Sequence, residues 1–154
     1  MSSLFNEAIW FRGRGDHSTD PLDKFIFYLS AFNAIIHHIS GKYPVDSEIE
    51  KMIAPMGRKE GTIQMLRAPL EILCDRKRLE IKGSDCQEKC AALLRNGSIG
   101  CVSQALAVAQ NIRGLVFRPS RTDIQPVSYE ILIACNAVLK EVAEFLISSS
   151  KNQT

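Results

Sequence analysis

The stretch DPLDKFIFYLSAFNAIIHHISG, residues 20–41, decides the fold of this chain. Asp20 offers a side-chain oxygen that can cap a helix, and Pro21 at the first helical position gives up no useful N–H group. Apolar side chains then recur at steps of three and four residues as far as Ile39, which predicts a helix with one continuous apolar face. Gly41 is typical of the residue that ends such a helix. Because its face is so apolar, this helix is predicted to lie at the centre of the molecule.

On the N-terminal side of this helix, the sequence predicts a short helix followed by a loop. Ser2 or Ser3 could cap the short helix. The loop covers residues 12–19, where two glycines and a run of polar residues remove both helix propensity and apolar periodicity. The short helix carries an aromatic-rich face that must pack against another part of the protein, formed by Leu4, Phe5, Ile9, Trp10 and Phe11.

On the C-terminal side, the same periodicity and the capping residues predict five more helices. Pro69 lies inside one of them and predicts a kink or two abutting pieces. Residues 76–83 alternate charged and apolar side chains, and an extended connector is favoured there over an isolated strand. Residues 148–154 are predicted to form a frayed polar tail. The five helices are predicted at about residues 46–53, 62–77, 84–96, 98–119 and 125–148.

Length and composition predict a single domain, residues 1–154, and the helical periodicity makes it an all-α bundle of about five to seven helices. The chain has 154 residues, 45% of them hydrophobic and 23% charged, which suffices for one core and is too short for two comfortable domains. Its net charge of +2 is smaller than the basic excess of most strong nucleic-acid binders. Any anionic partner must therefore meet a local patch of cations.

The five cysteines form no even disulfide framework, and the N-terminus lacks the basic-then-apolar pattern of a secretory signal. These features favour a reducing cytoplasm, in which Cys86 and Cys90 are expected to be core thiols. No apolar run approaches the roughly 20 residues that span a bilayer, so no membrane partner is predicted.

Neither a metal nor a cofactor is predicted. His37 and His38 are neighbours on a helix, so their side chains point about 100° apart and would not normally share one ion. Cys86 and Cys90 lie one helical turn apart, but no Cys-x2-Cys pair accompanies them. The sequence also lacks a phosphate-binding loop, a nucleophile elbow and a His-Glu-x-x-His helix.

Cations gather where the sixth predicted helix ends, in the stretch QNIRGLVFRP at residues 110–119 and in the turn after it. Guanidinium groups suit the geometry of phosphate oxygens, although a solvated surface or the capping of terminal carbonyls explains most such groups. Both interpretations stay open on spacing alone. The candidate anion-binding residues are Arg113, Arg118 and Arg121, with Arg12 and Arg14 as contributors from the predicted loop.

Two amides could support these cations. Asn33 lies in the middle of the most apolar helix, where a buried amide needs hydrogen-bond partners. It could fix the packing of two helices or position a functional arginine, and the sequence leaves both open. Asn111, two residues before Arg113, is a second supporting candidate.

Two stretches together resemble the HEPN superfamily of helical nucleic-acid-associated domains. Residues 20–35 are similar to the early family helix, in which an aromatic-rich face leads to alanine or phenylalanine and then asparagine. Residues 112–117, the turn after them and the helix at 125–146 are similar to the signature helix, short loop and final helix of the family. Between residues 42 and 96 the resemblance extends only to generic helices.

The family motif is an arginine, usually followed by a polar residue, and a histidine after four to six intervening residues. Arg113 aligns with the arginine, Gly114 replaces the polar residue, and Arg118 occupies the position of the histidine. In active members the arginine and histidine serve metal-independent RNA cleavage, typically in a composite site across a homodimer. Arg118 stays protonated and cannot act as an ordinary general base.

The resemblance therefore implies a homodimeric domain that binds RNA or a nucleotide and has lost or altered its ribonuclease activity. A second hypothesis is a protein-interaction or antitoxin-like partner that does not bind nucleic acid. A third is an active endoribonuclease with a non-standard site, in which His17, His37 or His38 would have to move the protons.

Overall fold

The computed structural model describes residues 3–79, 85–116 and 127–151. Seven α-helices and one short 3-10 helix account for most of these residues, and none of the described residues forms a β-strand. The prediction of an all-α bundle is confirmed. The α-helices are α1 (Ser3–His17), α2 (Pro21–Ser40), α3 (Asp46–Ile53), α4 (Thr62–Cys74), α5 (Cys86–Arg95), α6 (Gly100–Val116) and α7 (Tyr129–Lys151), and the 3-10 helix is Ala54–Arg58.

Helix α2 has the capping residues that the sequence predicted. The Asp20 carboxylate accepts a hydrogen bond of 3.2 Å from the backbone N–H of Asp23, and Pro21 is the first helical residue. At the other end, Gly41 has a φ of 73°, and its N–H donates to the carbonyl oxygen of His37 at 2.9 Å. These local contacts fix both ends of the helix.

The bundle is arranged around α2 and α7. Helices α1 and α7 pack along α2, α4 packs on α5 and α7, and α5 packs on α6. Their apolar faces form one core in which side chains from α1 to α7 are buried together. Burying one such side chain contributes about 1.5–3 kcal/mol. The shorter α3 packs on α6 and leaves the C-terminal end of α6 close to the turn that follows α2.

The prediction of a loop is wrong for residues 12–17, where α1 continues as a helix to His17, and is confirmed for residues 18–19. The reason is a tertiary contact that local propensity does not contain. Gly15 lies so close to the ring of Tyr28 that an added Cβ atom would be 2.6 Å from Cε1. The Tyr28 hydroxyl also donates a hydrogen bond of 2.6 Å to Asp16. Packing on α2 therefore stabilises a glycine-containing turn that would be a weak helix in isolation.

Several other helix ends differ from the predicted ones. Helix α4 ends at Cys74, three residues earlier than expected, and contains Pro69 within one continuous helix. Helix α7 begins at Tyr129 and continues to Lys151, which is beyond the predicted start of a frayed tail. No helix among the described residues is long and apolar enough to cross a bilayer.

The expectation that Cys90 is a core thiol is also wrong, because a disulfide joins Cys90 on α5 to Cys74 at the end of α4. Cys101 and Cys135 are buried thiols, and Cys86 is half-buried. Burial raises the pKa of the Cys135 thiol to about 12, which keeps it protonated and unreactive at neutral pH.

Candidate anion-binding site

Three polar side chains from different parts of the chain meet between α2 and α6. The amide nitrogen of Gln110 donates to Asn33 Oδ1 at 2.8 Å and to the hydroxyl oxygen of Tyr43 at 3.2 Å. The Tyr43 hydroxyl lies 3.5 Å from the same Asn33 oxygen. We refer to Asn33, Tyr43 and Gln110 as the polar cluster.

Each member of the polar cluster is placed by a feature of its own element. Asn33 is half-buried on α2, and Gln110 is half-buried near the end of α6. Tyr43 follows the left-handed Gly41 that ends α2, so the chain turns there and the Tyr43 hydroxyl comes within 3.5 Å of Asn33 Oδ1. The side-chain oxygen of Asn33 therefore has the hydrogen-bond donors that its place in an apolar helix requires.

Arg113 lies beside this cluster, in the last turn of α6. It follows Gln110 by three residues, a spacing that places two side chains on neighbouring positions of a helix surface. Arg113 is exposed, and its charge is close enough to act on the phenol of Tyr43. The polar cluster thus adjoins an exposed guanidinium group.

The Tyr43 phenol is a hydrogen-bond donor at neutral pH. Burial raises its pKa, and the charge of Asp46 raises it further, whereas the charge of Arg113 opposes both effects without reversing them. The phenol therefore stays protonated.

The hydrogen of that phenol is weakly held. Its acceptor, Asn33 Oδ1, is 3.5 Å away and already accepts the shorter bond from Gln110. Tyr43 is 56% exposed, so its hydroxyl can turn toward a ligand without breaking a strong bond.

Arg113 and Tyr43 together offer donors of the type that bind an oxyanion. The guanidinium supplies a fixed fork of N–H groups, and the phenol supplies one O–H group. Neither group accepts a proton at neutral pH, because the guanidinium is always protonated and the phenol is not ionised. The arrangement can bind and polarise a phosphate but cannot by itself supply a general base.

A small cavity adjoins the polar cluster between α2, α3 and α6. Its volume is about 60 Å³, and Tyr43 and Gln110 are among the residues that line it. Asp46 and Glu50 line the side formed by α3. An anion must therefore approach the Arg113 side of the cluster rather than the cavity.

Arg12 and Arg14 lie on α1 rather than in a loop. The guanidinium of Arg14 lies over the rings of Trp10, at 5.8 Å, and of Phe27, at 5.6 Å. The charge of Arg12 acts on the carboxylate of Asp16. Burial alone would raise the pKa of Asp16. The hydrogen bond from Tyr28 and the charges of Lys140 and Arg12 outweigh burial, so the pKa is lowered. None of these contacts involves the polar cluster.

The other predicted candidates divide into those inside and outside the described residues. Arg118 and Arg121 lie outside them, as do residues 80–83 of the predicted connector and the turn predicted after Pro119. Asn111 lies on α6 and is exposed.

Tyr43 and Gln110 were not predicted as site residues. Two features could have indicated them: Gln110 is a polar residue in an apolar helix three residues before Arg113, and Tyr43 lies three residues after the end of α2.

The three histidines occupy different places. The ring of His38 packs against Phe5 with 5.4 Å between ring centroids, and His17 is the last residue of α1. His37 is half-buried and follows Asn33 by one helical turn, so the two residues lie on the same side of α2. His37 is therefore the histidine placed nearest along α2 to the polar cluster.

Among the residues that the structure describes, no three His, Cys, Asp or Glu side chains are grouped closely enough to hold a metal ion. The site at the end of α6 therefore consists of two hydrogen-bond donors, Arg113 and Tyr43, and of the side-chain amides of Asn33 and Gln110, which contact the Tyr43 hydroxyl.

Comparison of the chain with models of protein families, with curated proteins and with solved structures gave no match.

Proposed function

We propose that the chain is a HEPN-like domain that binds RNA or a nucleotide through phosphate contacts at the end of α6, with ribonuclease activity lost or altered. The observation that carries this proposal is the position of Arg113. It lies three residues after Gln110 on α6, and its charge acts on the Tyr43 phenol, whose oxygen accepts a hydrogen bond from Gln110. The same Arg113 aligns with the arginine of the family motif.

The chemistry of the site favours binding over cleavage. RNA cleavage without a metal requires a group that removes a proton from the attacking hydroxyl. Arg113 and Tyr43 can stabilise negative charge that develops on a phosphate, but neither can take up that proton. The position at which the family has its histidine holds Arg118, which is equally unable to do so.

A homodimer forms part of the proposal. One exposed arginine and one phenol provide few phosphate contacts, and the net charge of +2 adds little attraction at long range. Two copies that bring their α6 ends together would double the number of donors in one cleft. Sedimentation equilibrium with and without RNA measures whether this dimer exists.

RNA binding at low salt tests the proposal directly. We expect a fluorescently labelled single-stranded RNA to bind the wild type, and Arg113→Ala to weaken binding about tenfold, because a charge-assisted hydrogen bond contributes about 1.5 kcal/mol. Arg113→Lys is expected to fall between the two, since it keeps the charge and loses the fork. Tyr43→Phe removes one neutral donor and is expected to weaken binding about threefold.

Arg58→Ala is the matched control, because Arg58 is an exposed arginine in the last turn of the 3-10 helix. We expect this variant to bind RNA like the wild type. The slope of log K against log salt should decrease by about 0.7 in Arg113→Ala for the lost phosphate contact and stay unchanged in Arg58→Ala. If the wild type binds no RNA or nucleotide at low salt, or if both variants weaken binding equally, the proposal is wrong. A protein that co-purifies with a non-binding wild type would support the interaction or antitoxin-like hypothesis.

A second candidate function is an altered ribonuclease that uses His37. The observation that favours it is the meeting of α2 and α6 at the polar cluster, since His37 lies one turn after Asn33 on α2. The test is incubation with RNA in the presence of EDTA. Cleavage that survives EDTA and disappears in both Arg113→Ala and His37→Asn would establish the activity, and intact RNA in the wild type would exclude it.

A further inference from the structure

A disulfide and a cavity lie side by side between α4 and α5. Cys74, the last residue of α4, is bonded to Cys90 in the middle of α5. A cavity of about 210 Å³ has Cys74 in its lining. It is lined otherwise by Arg67, Glu71, Asp75, Ala91, Leu94 and Arg95.

The two sulfur-bearing residues differ in their access to this cavity. Cys74 is 8% exposed, whereas Cys90 is completely buried. Cys74 lines the cavity, and Cys90 is not among its lining residues. A thiolate that attacks a disulfide must reach one sulfur atom, so attack is restricted to Cys74 and the sulfur that leaves is that of Cys90.

The surroundings of Cys90 suit a leaving group that becomes a neutral thiol. Its sulfur lies 3.4 Å from the carbonyl oxygen of Cys101, within reach of an S–H donor. Cleavage of the disulfide would therefore leave no unpaired polar group at Cys90.

A second contact keeps α4 and α5 together when the covalent bond is broken. Gln87 on α5 is fully buried, and its amide nitrogen donates to the carbonyl oxygens of Leu73, at 3.2 Å, and of Leu79, at 2.6 Å. The end of α4 and the turn after it are thus held to α5 independently of the disulfide. Exchange at Cys74 does not require the two helices to separate.

The charges of the cavity favour a thiol that carries a carboxylate. Glu71 pairs with Arg67 at 3.1 Å. Asp75 pairs with Arg78 at 3.4 Å and also accepts a backbone hydrogen bond of 2.9 Å from Lys77. Arg95 makes no ion pair with any residue that the structure describes. Its guanidinium is the charge in this lining that a ligand would neutralise.

We propose that the Cys74–Cys90 disulfide is an exchange site for small thiols that bear a carboxylate, which enter the cavity beside Arg95 and become attached to Cys74. The incoming thiol loses its proton to solvent, and its thiolate forms a bond to the sulfur of Cys74 as the Cys74–Cys90 bond breaks. The electron pair of that bond leaves on the Cys90 sulfur, which takes a proton from solvent and becomes a thiol. The Cys90 thiolate can reverse the attachment by attacking the Cys74 sulfur and expelling the small thiolate. A second small thiolate can instead remove the attached thiol as a symmetrical disulfide, which leaves Cys74 and Cys90 as two thiols.

Three thiols of similar size test the role of charge: 3-mercaptopropionate, 2-mercaptoethanol and cysteamine, which carry a carboxylate, a hydroxyl and an ammonium group. The wild type and Arg95→Ala are compared in their rate of reaction with each thiol, and the ratio of the two rates removes differences in intrinsic thiol reactivity. We expect Arg95→Ala to slow the reaction of 3-mercaptopropionate about threefold, as for an exposed ion pair. The ratio of the wild-type rate to the Arg95→Ala rate should therefore be about three for 3-mercaptopropionate, about one for 2-mercaptoethanol and below one for cysteamine.

Tryptic digestion followed by mass spectrometry locates the attached thiol, because Cys74, Cys86 and Cys90 fall in separate peptides at residues 68–76, 83–89 and 90–95. We expect the mixed disulfide on the first peptide and a free thiol on the third. Arg58→Ala, an exposed arginine outside the cavity, is expected to react like the wild type with all three thiols. Three results would overturn the proposal: attachment at Cys90, equal rate ratios for the three thiols, or free thiols on both peptides of the protein purified in air.

Discussion

The hydroxyl of Tyr28 on α2 donates a hydrogen bond of 2.6 Å to the carboxylate of Asp16 on α1. Lys140 on α7 approaches the same carboxylate oxygen at 3.4 Å. One carboxylate therefore connects three helices, and the ring of Tyr28 covers Gly15 next to it. This contact explains why a stretch with two glycines is helical, and it makes the end of α1 dependent on tertiary packing.

Gly15→Ala is predicted to destabilise the protein by about 1–3 kcal/mol, because the added Cβ atom would lie 2.6 Å from Tyr28 Cε1 in a packed contact. Gly13→Ala is the matched control on the same helix, since nothing lies within 4 Å of its added Cβ atom. There, better helix propensity is expected to stabilise by up to about 1 kcal/mol. Urea unfolding of the two variants measures both effects, and equal shifts would contradict the contact.

Asp16→Asn is predicted to reduce the free energy of unfolding at neutral pH by about 1 kcal/mol or less, because the carboxylate is partly exposed. The pKa of Asp16 is lowered in the folded protein from its ordinary value of 3.8. A lowered pKa of an acid stabilises the fold above the ordinary value, and the contribution is lost as pH falls below it. The difference between wild type and variant should therefore disappear under acid conditions. A difference that grows toward low pH would contradict this assignment.

Asn33→Leu is predicted to weaken RNA binding about threefold, a prediction that rests on the proposed function. Leucine keeps the helix and its apolar packing but removes the acceptor that holds Gln110 and, more weakly, Tyr43. Asn6→Ala, exposed on α1 and outside the polar cluster, is the control and is expected to bind RNA like the wild type. Anisotropy titrations with labelled RNA compare them, and circular dichroism checks that both variants are folded. If Asn6→Ala has the larger effect, the polar cluster does not position the site.

Cys74→Ser is predicted to lower the free energy of unfolding by about 3 kcal/mol in the absence of a reducing agent. The disulfide spans a sequence separation of 16, and closing a loop of that length restricts the unfolded chain by about this amount. In excess dithiothreitol the wild type loses the same constraint, so the two proteins should differ much less. A difference that is equal with and without dithiothreitol would show that the disulfide is not its cause.

Features set by neighbouring residues were predictable from the sequence, and features set by distant residues were not. The cap at Asp20, the Pro21 start and the Gly41 end of α2 depend on contacts within four residues, and all three were confirmed. Helix propensity alone ended α1 too early, because the contact that extends it comes from Tyr28 on the next helix.

The candidate site follows the same rule. The sequence indicated that Asn33 needs a partner, but Gln110 lies 77 residues away and could not be chosen from local spacing. Arg113 was predicted from its place in the stretch at residues 110–119. Its neighbour Tyr43 was not, since the turn that brings Tyr43 to α6 depends on how α2, α3 and α6 pack together. The pairing of Cys74 with Cys90 was missed for the same reason.

The chain contains a single tryptophan, and it is 57% exposed on α1. Trp10 lies next to the rings of Phe11 and Phe27, with the guanidinium of Arg14 above it. Intrinsic tryptophan fluorescence of this protein therefore reports on the α1–α2 hairpin alone, whereas far-ultraviolet circular dichroism reports on every helix. Recording both signals during one denaturation shows whether that hairpin separates from the bundle before the remaining helices unfold.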